Sequence, residues 1–202
     1  VPEVEVPGDP SSAAFLVVAA LVLPGSEVRI DNVLLNPTRI GFLAVLREMG
    51  AQIETGIRRE EPEPVGWIRA RASALSGVAV GPERVPGLVD ELPALAVAAA
   101  YAQGRFNVSG ASELRVKESD RISAIAEGLT RMGAAVVEQP DGFSIEGGRP
   151  LHGAQVRSFG DHRIAMALVV AGLGATGATE VEGKECVAVS FPEFLDLVSS
   201  AR

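Results

Sequence analysis

Three short stretches of this 202-residue sequence hold charged side chains in patterns that suit the handling of anions and protons. The densest is Arg115-Val116-Lys117-Glu118-Ser119-Asp120-Arg121, at the mouth of an amphipathic run. Lys117 and Arg121 stand four apart. They share a helix face if Lys117 lies in the first turn, and converge on the helix entrance if Lys117 precedes the cap. A solvated helix end laced with ion pairs fits the same residues; against it stand Arg115 and Lys117, read as arriving on an extended run ahead of an acidic cap. The second stretch is Gly160-Asp161-His162-Arg163, with His162 and Arg163 in the first turn of an apolar helix. A cation there opposes the helix dipole, so it costs stability unless an anion or a carboxylate compensates. Anion binding and simple pairing with Asp161 both satisfy that condition. The third is Asp90, directly before a long apolar run.

The elements that must position these groups form a repeat. Asp9, Asp90 and Asp161 each open an alanine-rich run, SSAAFLVVAALV, ELPALAVAAAYA and HRIAMALVVAGL, where a carboxylate can cap the free N–H groups of a first turn. Each run ends near a glycine (Gly25, Gly104, Gly177) and leads into a short alternating segment. Met49-Gly50-Ala51 and Met132-Gly133-Ala134 add a second matched signature. The runs are apolar nearly all round, as enclosed helices are. The helix of the middle unit is one-sided, with Ile122, Ile125, Leu129 and Met132 at three- and four-residue steps and Arg121, Glu127 and Arg131 on its surface. One unit therefore reads strand, buried helix, strand, amphipathic helix, strand, strand. Units span approximately 1–76, 77–148 and 149–202, with a first strand at Val1 and a third unit that stops after its second helix, begun by Ser190-Phe191-Pro192-Glu193. Three buried helices stacked with pseudo-threefold symmetry would point their N-termini, which favour anions, towards one region.

Composition narrows the function further. A net charge of −8 gives no long-range attraction for nucleic acid or an anionic membrane. The apolar runs at 13–23 and 165–174 are too short to cross a bilayer. The lone Cys186 cannot form an intrachain disulfide and lies in an apolar stretch where a packed thiol is expected, so a reducing cytoplasm is the default compartment. His152 and His162 are ten apart around a strand, so no metal site is expected, and no glycine-rich nucleotide fingerprint occurs.

Together these segments resemble the C-terminal half of 5-enolpyruvylshikimate-3-phosphate synthase over essentially the whole chain. The segments are Pro7-Gly8-Asp9-Pro10-Ser11-Ser12-Ala13, Asn36-Pro37-Thr38-Arg39, the eleven residues from Asp90 to Ala100, the nine from Glu113 to Arg121, Asp161-His162-Arg163-Ile164-Ala165-Met166-Ala167 and Ser190-Phe191-Pro192-Glu193-Phe194. The resemblance implies an α/β enolpyruvyl transferase fold, in which this chain (1–202) is a single C-terminal domain and the substrates bind between it and a missing N-terminal domain. It also implies that a segment from the N-terminus of the whole enzyme completes the third unit. The implied reaction transfers the enolpyruvyl group of phosphoenolpyruvate to the 5-hydroxyl of shikimate 3-phosphate and releases phosphate, with no metal or other cofactor. By motif position, Asp90 would deprotonate the hydroxyl and Glu118 would protonate the methylene carbon. Lys117 would assist proton transfer and bind phosphate, while Arg121 and Arg163 would clamp phosphoenolpyruvate with His162 beside them. Asp161 would cap its helix. The chain departs from some members at Glu113, where they have asparagine, and at Val189, where they have lysine. The family's shikimate-phosphate pocket also uses the other domain and an N-terminal Lys-Ser segment. Alternatives are a UDP-N-acetylglucosamine enolpyruvyl transferase domain, which shares the architecture, and a non-catalytic binding module on the same scaffold.

Overall fold

A computed structural model describes residues 5–200, so the strand expected at Val1 lies outside the described residues. In chain order the elements are α1 (Pro10–Val22), β1 (Glu27–Leu34), α2 (Gly41–Glu48), β2 (Gln52–Arg59), β3 (Val65–Arg71), β4 (Ala79–Val80), α3 (Leu92–Tyr101), β5 (Arg105–Val108), α4 (Arg121–Arg131), β6 (Ala135–Gln139), β7 (Gly142–Glu146), β8 (Gln155–Arg157), α5 (His162–Leu173), β9 (Glu180–Glu182) and α6 (Phe194–Ser200). The three alanine-rich runs are α1, α3 and α5, and each packs against the other two. Ala14, Ala98 and Ala165 are among their fully buried side chains. Small residues let the helices approach, and burial on every side explains why none shows a polar stripe.

Sheets wrap this centre. The first has the order β1-β3-β2 with antiparallel pairs such as Ile30 opposite Ile68, and Gly8 adds a parallel bridge to Val33 on the β1 edge. The second runs β4-β5-β7-β6, with β4 parallel to β5 and Phe106 opposite Ile145. Each sheet thus follows one plan: a lead strand, the strand after the buried helix, the last strand, then the penultimate one. The third sheet has only the first two members among the described residues, β8 and β9, paired in parallel with Val156 opposite Val181.

The Met-Gly-Ala signature ends α2 and α4 in the same way. Gly50 and Gly133 have φ of +98° and +96°, the left-handed region that glycine enters without a Cβ penalty. Gly50 N–H and Ala51 N–H donate to the carbonyls of Arg47 and Leu46, and Gly133 and Ala134 repeat this with Thr130 and Leu129. This is the Schellman pattern, which satisfies the last carbonyls of a helix. Met49 and Met132 lie fully buried beneath it.

Three expectations need correction. Asp90 is not a cap: Leu92 N–H already bonds the Leu88 carbonyl at 2.9 Å, α3 starts at Leu92, and its N-cap position is Glu91. Asp9 and Asp161 do cap α1 and α5 through first-turn N–H groups. The segment before Lys117 is not extended but a 3-10 turn, Ser112–Val116. Arg121 is not on the helix surface. It is 1% exposed, while Ile122, Ile125 and Leu129 fill the core as their periodicity demands. Cys186 is half-buried and packs against the core without belonging to it, and burial pushes its thiol up.

Candidate active site

The N-terminal ends of α1, α3, α4 and α5 meet through side chains, and Arg121 stands at the junction. It is the first residue of α4, capped by Asp120, whose carboxylate accepts the Ser123 N–H at 3.0 Å. Its guanidinium donates in three directions: Nε to Asp161 Oδ2 at 2.8 Å, Nη1 to Asp90 Oδ1 at 3.0 Å and Nη2 to Glu118 Oε2 at 2.5 Å. A buried cation is tolerable only with such compensation. Arg163, in the first turn of α5, closes the group with Nη2 3.2 Å from Asp90 Oδ2 and Nη1 donating to the Asp90 carbonyl at 3.3 Å. Asp90 therefore lies between two guanidiniums. It also supplies the carboxylate that a cation at a helix N-terminus requires.

The three carboxylates around Arg121 differ in freedom. Asp161 is 0% exposed. Its Oδ1 accepts the N–H groups of Arg163 (2.9 Å) and Ile164 (3.4 Å), and its Oδ2 accepts Ser119 Oγ (3.1 Å) besides Arg121. Burial opposes its charge, but Arg121 and these hydrogen bonds hold the carboxyl below the usual range. Asp90 is fixed from two sides. Glu118 has a side chain 51% exposed and bonds Arg121. His162, at the start of α5, is held below its ordinary range by burial and then by the charge of Arg163.

Asp90, Glu118, Arg121 and Arg163 are thus joined in one network, with His162 beside it. Lys117 is different: it precedes the cap of α4, and its ammonium pairs with Glu113. Arg115 is a structural tie. It reaches Asp120, Glu138 and the carbonyls of Gln139 and Pro140, which fastens the loop before α4 to the β6–β7 turn. Val189 is exposed at the end of a 3-10 turn.

Sequence reasoning missed several members. Ser119 and the second role of Asp161, as partner of Arg121, depend on contacts across 42 and 40 residues. Ser11, Arg39 and Glu91 form a neighbouring cluster in which Ser11 Oγ bonds Glu91 and Arg39 Nη2 bonds Ser11 Oγ and Asp9. The one available signal was an acid, Glu91, inside an otherwise apolar run.

Comparison with known proteins gives a consistent family. The family model described as EPSP synthase (3-phosphoshikimate 1-carboxyvinyltransferase) matches residues 2–198. The 3-phosphoshikimate 1-carboxyvinyltransferase of Synechococcus sp. (strain JA-3-3Ab) is 54% identical over 95% of this chain and 44% of its own length. That of Pelotomaculum thermopropionicum is 56% identical over 98% of this chain and 46% of its own. The chain spans about half the length of these curated relatives. Among solved structures, EPSP synthase from Acinetobacter baumannii superposes with a TM-score of 0.93 at 42% identity, covering 97% of this chain and 46% of that one. The enolpyruvyl transferase NikO from Streptomyces tendae superposes with a TM-score of 0.78 over 98% of this chain and 44% of its own, at 20% identity, a likeness of fold.

Proposed function

The chain belongs to the EPSP synthase family, and on that premise we propose that it is the C-terminal domain of a two-domain enzyme. That enzyme transfers the enolpyruvyl group of phosphoenolpyruvate to the 5-hydroxyl of shikimate 3-phosphate and releases phosphate. The reaction belongs to the route to aromatic amino acids, in a reducing cytoplasm that suits the lone thiol of Cys186. The observation that carries the reading is Asp90 set between the guanidiniums of Arg121 and Arg163, with Glu118 on the remaining amino group of Arg121.

Each group has the chemistry its part needs. Planar guanidiniums bind carboxylate and phosphate in bidentate fashion, so Arg121 and Arg163 form the clamp for phosphoenolpyruvate. Because the ligand-free clamp is filled by the chain's own carboxylates, an entering anion takes the place of at least one. Glu118, half exposed, is the partner free to swing away. Released from Arg121 and protonated from solvent, it delivers that proton to the methylene carbon, which makes the adjacent carbon electrophilic. Asp90 takes the proton of the attacking 5-hydroxyl. A methyl proton then returns to Glu118 as phosphate leaves, taking the proton held by Asp90, and the enolpyruvyl double bond is restored. Lys117 serves the phosphate once it leaves Glu113, and His162 completes the wall.

The domain reading explains the unfinished third unit. Sheets one and two continue past their second strand, whereas β9 ends its sheet among the described residues. Beside it lie adjoining cavities of about 340 and 330 Å³, lined by Val169, Leu173, Val181 and Val198, and by Leu16, Ala20 and Val28. Thr179 also lines the first, and its hydroxyl is buried without a hydrogen-bond partner. In this reading a segment from the absent half completes the sheet, as the pseudo-threefold plan requires.

The test is phosphate release with both substrates present. This chain alone gives no turnover, and adding the N-terminal half restores it. In the restored enzyme Glu118→Gln lowers kcat by about 10²- to 10⁴-fold, the usual worth of a placed acid. Turnover by the lone chain would overturn the half-enzyme reading, and full activity of the Glu118→Gln enzyme would remove Glu118 as the proton donor and favour a non-catalytic binding role for this domain.

A further inference from the structure

Glu91 occupies the N-cap position of α3, yet its side chain bonds none of that helix's free N–H groups. The carboxyl is instead 4% exposed and accepts the hydroxyl of Ser11 from the first turn of α1. Ser11 is also buried, and Arg39 Nη2 donates to its Oγ at 3.3 Å. An ionised carboxylate in such a place costs several kcal/mol. Glu91 has neither a cap nor, among the described residues, a salt bridge to offset it. Burial, opposed by Ser11 and Arg163, moves its carboxyl above the ordinary range and so favours the neutral acid.

Its neighbour in sequence gives it a purpose. Asp90 and Glu91 are consecutive, but Asp90 reaches α4 and α5 while Glu91 reaches α1. The backbone between them is a turn, closed by the N–H groups of Glu91 and Leu92 on the Leu88 carbonyl, each at 2.9 Å. We propose that Glu91 is a positioning residue: tied to Ser11, it fastens this turn to α1 so that the Asp90 carboxylate stays between Arg121 and Arg163. Its value for catalysis rests on the function given to Asp90 above. The fastening itself belongs to the ligand-free chain and is measured without turnover.

The experiment is NMR of this chain, reading the carboxyl carbon of Asp90 and the guanidinium nitrogens of Arg163, with the Asp161 carboxyl as control. Ser11→Ala and Glu91→Ala shift the Asp90 and Arg163 signals and leave Asp161 in place. Glu91→Gln, an uncharged isostere that still bonds the Ser11 hydroxyl, keeps them at their wild-type positions. The charged groups facing Glu91 are Asp90, Arg163 from α5 and Arg39 from the turn before α2, which also holds Asp9. Unmoved Asp90 and Arg163 signals in Ser11→Ala and Glu91→Ala would overturn the proposal, as would Glu91→Gln moving them as far as alanine does. Should Glu91→Ala fail to fold, Ser11→Ala, which removes one hydroxyl, decides the matter.

Discussion

Arg121 and Asp161 illustrate how a buried charge is made tolerable by its partners. The guanidinium is 1% exposed and Asp161 0%, so neither can fall back on water if the other is removed. Arg121→Met leaves the Asp161 carboxylate buried with only neutral donors, and we expect a loss of about 3–5 kcal/mol in urea unfolding, the usual cost of breaking a buried pair. Adding Asp161→Asn to that variant recovers part of the loss, because the stranded charge is gone. A loss under about 1 kcal/mol in the single variant would mean that water reaches the pair. The types and order of these residues were legible in the sequence, and so was their resemblance to an enolpyruvyl transferase motif. The burial of Arg121 was not, since its side chain turns away from the helix surface to meet acids 31 and 40 residues distant.

Helix and strand positions followed from local pattern. The enclosed runs became α1, α3 and α5, and the Ile122, Ile125, Leu129 stripe became the inner face of α4. The paired Met-Gly-Ala signatures became matching helix ends, and they make a graded prediction. A Cβ on Gly50 would meet only the Ala74 carbonyl at 3.1 Å, whereas one on Gly133 would come within 2.7 Å of the His152 ring. Both alanine variants lose about 1 kcal/mol for the left-handed backbone. Gly133→Ala loses more, which thermal unfolding of the two variants side by side will show; equal losses would mean that His152 moves aside freely. Between helices, the hydroxyl of Tyr101 at the end of α3 donates to the Ala171 carbonyl of α5 at 2.5 Å, and burial pushes its pKa up to about 12. The folded state thus holds this proton more tightly than the unfolded chain, whose tyrosine titrates near 10. The resulting stability is complete below pH 10 and is lost as pH rises through 12. Tyr101 is the only tyrosine, so its ultraviolet titration is unambiguous, and Tyr101→Phe removes this alkaline step at a cost of about 0.5–1.5 kcal/mol. Where local pattern failed, at the start of α3 and in the turn before Lys117, the cause was short turns closed by local backbone bonds, with no side-chain cap to mark them in the residue pattern.

At the scale of the whole molecule, β9 has one strand partner while its counterparts β1 and β5 each have two strand or bridge neighbours. Glu180 bonds the β8 side through its amide, so the amide expected on the open edge is that of Val181, which should exchange with solvent faster in this chain and become protected when the N-terminal half is added. Unchanged exchange would show that the third sheet is complete with two strands. Among the described residues no helix is long and apolar enough to cross a membrane, in keeping with apolar runs that serve as mutual core. The sequence by itself determined the elements, their recurrence and the family, because helix periodicity, strand alternation, glycine stops and motif order are written in neighbouring residues. Only the tertiary structure decided which charges meet. Asp90 leaves its capping position to join Arg121 and Arg163, Lys117 turns to Glu113, and Glu91 crosses to Ser11. The physical reason is that a charge withdrawn from water must find its partner wherever the packing of the helices brings one within about 3 Å, and separation along the chain does not record that distance.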